Sequence, residues 1–220
     1  MGIPKACLFD LDGLLLDTEP LHARAWNEAA SHFGCPLDAQ RLMGLRGRRR
    51  LDCAAQVRDW IAESTGQDLA SDDLLAIRQP IAERLLTNAL PMRGAMELVQ
   101  RCSELGIPMA LATSSSCAAV AMKIAPHPWL NAIRIRVHGD DPELKRGKPE
   151  PDVFLLAAER LGLEAGLCWA FEDSPAGATA ALRAGCRVYV VPPPHLEAVE
   201  RQQLFPGVER FLNSLEDVQF

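Results

Sequence analysis

Short apolar runs, each of strand length and each ending in small or polar residues, recur at Ala6 to Phe9, Ile107 to Ala112, Ile133 to Val137, Cys168 to Phe171 and Arg187 to Val191. Most are continuous rather than alternating, the pattern of strands buried on both faces of a parallel sheet. Stretches with helical spacing lie between them. Gly94 to Glu104 carries Met96, Leu98, Val99 and Cys102, and Asp152 to Leu161 carries Val153, Leu156, Ala157 and Leu161. Pro175 to Ala184 opens on proline and runs into Gly185, the usual asymmetry of a helix. Strand, helix, strand, helix predicts an α/β class chain with a doubly wound parallel sheet, a Rossmann-like core.

One gap breaks this rhythm. No further run of the kind occurs from residue 10 to residue 106, whereas a crossover to a parallel neighbour needs only roughly a dozen residues or more. The excess reads as helices alone. Pro20 to Phe33 places Leu21, Ala25, Ala29 and Phe33 four apart before Gly34; Leu51 to Glu63 and Ser71 to Leu86 look similar, with Pro80 expected to kink or split the last. Residues 15–90 are therefore expected to form a small inserted all-helical cap over the strand ends, with residues 1–14 and 91–220 as the core. The crossings near residues 14–18 and 86–93 are expected to act as hinges.

Charge narrows the partners. Lys+Arg number 23 and Asp+Glu 29, a net charge of -6, which argues against a general nucleic-acid binder or a polybasic membrane-surface protein. No apolar run approaches the roughly 20 residues of a membrane span. The opening Met1-Gly2-Ile3-Pro4-Lys5 lacks the charged head, long apolar stretch and cleavage site of a signal peptide. The seven cysteines are scattered and include no C-x-x-C pair, so they read as small buried hydrophobes in a reducing compartment. A cytoplasmic location is expected.

The first run ends Phe9-Asp10-Leu11-Asp12-Gly13. Side chains alternate along a strand, so Asp10 and Asp12 project to the same side, and ligands bind beyond the carboxyl ends of strands in such a sheet. Two carboxylates there repel unless something positive joins them, and hard oxygen ligands select Mg²⁺. Three further segments converge on the same end. Thr113-Ser114-Ser115-Ser116 follows the second run and can hold phosphate oxygens or simply cap a helix. Gly147-Lys148-Pro149 pins a lysine able to neutralise phosphate and a carboxylate together. Glu172-Asp173 ends a further run and can either complete a metal site or charge a helix start.

These four segments in this order resemble the haloacid dehalogenase-like hydrolase superfamily, over essentially the whole chain. The resemblance implies that Asp10 is the nucleophile that takes the phosphoryl group as an aspartyl-phosphate. It makes Asp12 the acid that protonates the leaving oxygen and then the base that activates water. It gives Thr113, Ser114 and Lys148 the phosphoryl oxygens, and Asp10, Glu172, Asp173 and the backbone carbonyl of Asp12 the Mg²⁺. Such equipment suits phosphoryl transfer, which is mostly positioning and charge stabilisation. The dehalogenases of the superfamily attack carbon and lack the second acid, present here as Asp12. The lysines stand at 5, 123, 145 and 148, none in the cap, so the Schiff-base chemistry of the phosphonate-cleaving branch is not expected.

Phe9 to Glu19 is similar to the start of small-capped sugar-phosphate phosphatases and β-phosphoglucomutases, while Ile107 to Ser115, Gly139 to Glu143 with Gly147-Lys148-Pro149, and Leu212 to Leu215 are similar to pseudouridine-5'-phosphatases, a branch that includes glycerol-3-phosphatases. In the cap, His22, Arg46 and Arg78 are the candidates for substrate contact, while most of Arg48, Arg49 and Arg50 read as a solvated face. His22 would help shape the acid, and Arg78 stands where the mutases use a lysine. The expected function is a Mg²⁺-dependent phosphatase for a small phosphorylated metabolite such as a sugar, polyol or nucleoside 5'-phosphate. The alternatives are a β-phosphoglucomutase-type isomerase and a catalytically silent binding protein on the same fold. A monomer suffices, because the cap supplies the lid; no nucleic-acid or membrane partner is expected.

Overall fold

The computed structural model describes residues 3–46, 48–194 and 196–220; Met1 and Gly2, in the segment read above for a leader, lie outside the described residues. Among the described residues, β1 (Ala6–Phe9), β2 (Met109–Ala112), β3 (Ile135–Val137), β4 (Cys168–Glu172), β5 (Arg187–Val190) and β6 (Arg210–Phe211) form one sheet in the order β3-β2-β1-β4-β5-β6. Every pairing is parallel: Phe9 of β1 stands opposite Leu111 of β2 on one side and Phe171 of β4 on the other. Chain order reverses across β1, which opens a crevice beyond its carboxyl end, the place where such sheets take ligands.

Alternation along the strands gives the sheet two unlike faces. Cys7 and Phe9 join Leu111, Trp169, Phe171 and Tyr189 in one layer, covered by α5 (Ala95–Glu104). Its rings stack, with Phe9 and Phe171 centroids 5.2 Å apart and Phe171 and Tyr189 5.4 Å apart, each such pair adding about 0.5–1.5 kcal/mol beyond area burial. Ala6, Leu8, Ala110, Ala112, Ala170, Val188 and Val190 make the other layer. Its small side chains let α7 (Asp152–Arg160) and α8 (Pro175–Arg183) lie close to the sheet; enlarging one of them would cost about 1–3 kcal/mol in strain.

The segment between β1 and α5 holds α1 (Glu19–His32), α2 (Ala39–Gly44), α3 (Arg50–Thr65) and α4 (Ser71–Leu86). These helices and the loops between them share an apolar cluster, among its members Trp26, Ala29, Leu45, Val57, Ile61 and Leu74. Of the kink or split expected at Pro80, the split does not occur: α4 continues through it. Leu74, Arg78, Ala82 and Leu86 are buried at four-residue spacing, whereas Pro80 and Ala76, whose carbonyl loses its partner, are both exposed. Packing on one face and water on the other offset the local cost of about 3 kcal/mol. The two crossings run side by side: Asp17 N donates to Leu90 O at 2.8 Å and Met92 N to Leu15 O at 3.0 Å.

The remaining helices are α6 (Cys117–Ile124) and α9 (Ala198–Leu204). β2 and β3 begin two residues inside the apolar runs that announce them, and α2, α9 and β6 were not anticipated. All three are short and carry too few periods to signal themselves.

Candidate active site

Asp10 and Asp12 leave the carboxyl end of β1, where the last ladder bond runs from Asp10 N to Phe171 O at 3.1 Å. Gly13 then turns the chain with φ +86°, a conformation that favours glycine. A β-carbon there would also run into Asp173 Oδ2 and the Glu19 side chain.

Around Asp10 the site is rich in carboxylates. Lys148, almost fully buried in the loop before α7, donates to Asp10 Oδ1 at 2.5 Å and to Glu172 Oε1 at 2.5 Å. The other Glu172 oxygen accepts from Asp173 N at 3.1 Å, Ser174 N at 3.2 Å and the Ser174 hydroxyl at 3.1 Å. Ser174 also caps α8, accepting from Gly177 N at 3.1 Å, so this helix start serves the site and itself at once. Gly177 is required by close approach, since a β-carbon there would overlap the Glu172 carboxylate. Arg46 of the α2–α3 loop donates to Asp173 Oδ2 at 3.0 Å, and its Nε lies 2.8 Å from Glu19 Oε2.

Four buried or half-buried carboxylates thus face two cations. Burial pushes Asp10 up to about 7, with the Glu172 and Asp12 charges adding and Lys148 opposing. Burial likewise raises Glu19 to about 7 against the pull of Arg46, and burial with Glu19 and Glu172 raises Asp173 well above the usual range. Lys148 is held above the ordinary lysine value, because Asp10 and Glu172 outweigh its own burial. One ligand oxygen each from Asp10, Glu172 and Asp173 lies within 4.8 Å of the others. The two-charge deficit and an all-oxygen donor set fit a hard divalent cation.

Around Asp12 the balance is reversed. Lys123 of α6, its side chain fully buried, donates to both Asp12 oxygens at 2.6 and 2.5 Å. Thr18 Oγ donates to Oδ1 at 2.8 Å and Ser115 Oγ to Oδ2 at 2.7 Å. His22 Nε2 lies 3.3 Å from Oδ1, and Arg78 Nη2 lies 3.0 Å from His22 Nδ1. A guanidinium only donates, so Nδ1 accepts and Nε2 carries the hydrogen toward Asp12. Burial opposes ionisation of Asp12, but Lys123 and His22 overcome it and hold the carboxyl well below the usual range. Burial lowers His22, favouring the neutral ring that this chain of bonds requires.

The two clusters meet at the floor of a cavity of about 230 Å³ between the strand ends and helices α1 to α4. Thr113, Ser114, Ser115 and Ser116 line it. Thr113 Oγ1 accepts from Ser115 N at 3.1 Å, and Ser116 caps α6 by accepting from Ala119 N at 3.3 Å, so the helix-capping use of this run occurs at Ser116. Arg78 is buried against Trp26, its guanidinium carbon 4.1 Å from the ring centroid, and its Nε has no hydrogen-bond partner among the described residues. Burial lowers it to about 10. Arg48 and Arg50 are exposed at the cavity rim, as a solvated face would be. Arg46 lines the cavity too, but its charge is engaged by Asp173 and Glu19 rather than open to a ligand.

Asp10, Asp12, Lys148, Glu172, Asp173 and the Thr113–Ser114 pair therefore come together, with His22 reaching Asp12 from α1. Sequence reasoning missed Lys123, Thr18 and Glu19, and it placed Ser115 in the hydroxyl run without its bond to Asp12. The available signal was Lys123 itself, the sole charge in the otherwise apolar Cys117–Ile124 helix.

Comparison with known proteins agrees with this arrangement. Residues 4–185 match the family model described as haloacid dehalogenase-like hydrolase. The chain is 34% identical to "(DL)-glycerol-3-phosphatase 2" of Arabidopsis thaliana, over 86% of this chain and 80% of that protein. It is 36% identical to the "Probable pseudouridine-5'-phosphatase" of Drosophila melanogaster, over 86% of this chain and 82% of that one. Among solved structures, β-phosphoglucomutase from Clostridium difficile superposes with a TM-score of 0.83 at 19% identity, covering 99% of this chain and 94% of that one; at that identity the likeness concerns the fold.

Proposed function

The chain belongs to the haloacid dehalogenase-like hydrolases, as a phosphoric monoester hydrolase, and from that premise we propose that it releases phosphate from a small sugar, polyol or nucleoside 5'-phosphate through a covalent intermediate on Asp10. The observation that supports this most is the opposed setting of the two aspartates. Asp10 sits among carboxylates beside the Lys148 ammonium; Asp12 sits among donors that keep it ionised. Groups pushed apart in this way take different parts in one reaction.

In the first half, an Asp10 oxygen attacks phosphorus and forms the new O–P bond. The bond to the leaving oxygen breaks, and Asp12, ionised at rest, takes the proton of the substrate's hydrogen phosphate and passes it to that oxygen to give the alcohol. In the second half, water attacks phosphorus, its proton passes to ionised Asp12, and the Asp10–phosphorus bond breaks to give inorganic phosphate and free Asp10. Lys148 offsets charge on Asp10 and the phosphoryl oxygens, while Thr113 and Ser114 line the position those oxygens would take. Asp10, Glu172, Asp173 and the Asp12 backbone carbonyl would hold Mg²⁺, which supplies charge stabilisation to the transferring group. The helices over residues 15–90 act as the cap that encloses the substrate, with Trp26 and Arg78 on its wall. Location in the cytoplasm and action as a monomer complete the reading; no helix among the described residues is long and apolar enough to cross a membrane.

Phosphate release from pseudouridine 5'-phosphate, glycerol 3-phosphate, hexose 6-phosphates and β-glucose 1-phosphate, with Mg²⁺ and with chelator, tests this proposal. Mg²⁺-dependent release from one or a few of them is expected. The buried, carboxylate-free guanidinium of Arg78 keeps one second reading in view, a mutase that grips a further phosphate in the cap. Formation of glucose 6-phosphate from β-glucose 1-phosphate without free phosphate would establish that reading instead.

A further inference from the structure

We infer that Lys123 is a positioning residue for this reaction: it fixes the Asp12 carboxylate in the orientation from which Asp12 exchanges protons with the leaving oxygen and with water. The inference rests on the reading of Asp12 as the proton carrier and extends it to a helix that carries none of the recognised motifs. Lys123 lies two turns into α6, with its side chain fully buried. An ammonium at that depth is costly unless paired with good geometry. Its partners are Asp12 Oδ1 at 2.6 Å, Asp12 Oδ2 at 2.5 Å and Ser115 Oγ at 2.8 Å. Ser115 in turn donates to Asp12 Oδ2 at 2.7 Å. Ammonium, hydroxyl and carboxylate therefore form a closed triangle, which fixes rotation of the carboxylate as one linear bond would not.

The preceding residue of α6 ties this triangle to the helices above it. Met122 packs against the cluster that Ala25 of α1 forms with Ala82 and Leu86 of α4. α6 thus reaches the cap helices with one residue and Asp12 with the next.

The test compares two esters of similar size. The p-nitrophenolate of p-nitrophenyl phosphate departs without a proton, whereas the alkoxide of benzyl phosphate needs one. For Lys123→Met, kcat/KM on benzyl phosphate should fall about 10²-fold, the usual loss when a reacting group is misplaced by about 1 Å. On p-nitrophenyl phosphate kcat/KM should stay within about threefold, because that ester's first step uses no general acid. The second step still needs Asp12, so p-nitrophenol should appear as a stoichiometric burst followed by slow turnover. Ser115→Ala, which opens the triangle and keeps the ion pair, should show the same selectivity with a smaller loss and covers the case in which Lys123→Met does not fold. Equal losses on both esters, or undiminished cleavage of benzyl phosphate, in the folded variants would overturn the role of Lys123. Asp12→Asn separates the two levels. If it spares p-nitrophenyl phosphate selectively and the Lys123 and Ser115 variants do not, this inference fails alone. If Asp12→Asn shows no such selectivity, or the wild-type protein cleaves neither ester, the reading beneath it fails as well.

Discussion

Asp10 and Asp12 are separated by one residue on the same strand end, yet they occupy opposite electrostatic regions. Asp10 shares its surroundings with Glu19, Glu172 and Asp173 and rises to about 7. Asp12 receives Lys123, Thr18, Ser115 and His22 and falls well below the ordinary range. Both are nearly buried, so depth does not separate them. The partners do: the loop before α7, β4, the α2–α3 loop and Glu19 of α1 supply the Asp10 side, whereas Thr18 and His22 at the start of α1, the Ser115 loop and Lys123 of α6 supply the Asp12 side. A parallel sheet can make neighbours on one strand unlike because every strand end sends a different loop to the crevice.

The largest test of this contrast is Asp10→Asn. It should lower phosphate release about 10⁵-fold or more, as removal of a covalent nucleophile does, while the fold persists. Because it removes one charge from the carboxylate-rich side, it should also raise the melting temperature of the metal-free protein at pH 8. Robust turnover by this variant would refute the nucleophile. Asp12→Asn comes next, with an expected loss of about 10²–10⁴-fold in kcat/KM for alkyl phosphates. Here the stability effect should have the opposite sign, since Lys123 is left buried without its counter-charge, a change that typically costs about 3–5 kcal/mol. Thermal melts of the two variants side by side would show whether the signs differ.

The smallest effect, and the one most specific to the Asp10 side, concerns Mg²⁺ and pH. Asp10 and Glu19 hold protons up to about pH 7 in the metal-free fold but ionise near pH 4 when unfolded. Between those values the folded state binds more protons, so their contribution to stability is present at low pH and lost as pH rises toward 7. Asp12 has the contrary sign, but its window lies below the ordinary carboxylate value and is not entered here. The protein in chelator should therefore melt lower at pH 8 than at pH 5. Mg²⁺ at about 100 times its dissociation constant should raise the melting temperature by about 5–10 °C at pH 8 and by less than half of that at pH 5. Equal shifts at the two pH values would show that the carboxylate excess is not what the cation relieves.

The sequence by itself determined the strand ends and what each of them carries. Continuous apolar runs ending in Asp10-Leu11-Asp12, Thr113-Ser114, and Glu172-Asp173 specify a parallel sheet with chemistry at one edge, because burial on both faces leaves only the strand ends for polar residues. The long helical excess between the first two runs was legible for the same reason, and Gly147-Lys148-Pro149 stood out by its setting. Tertiary structure alone decided which groups meet which carboxylate. Lys123 is separated from Asp12 by helices α1 to α5 and strand β2, and only the docking of α6 near the end of β1 brings its ammonium to both oxygens. Arg46 was readable as a cation but not as the partner of Asp173 and Glu19. Pro80 was readable as a helix breaker but not as a residue whose exposed position lets α4 continue. Local pattern encodes burial, which depends on period. Pairing between distant side chains depends on packing angles that no local pattern carries.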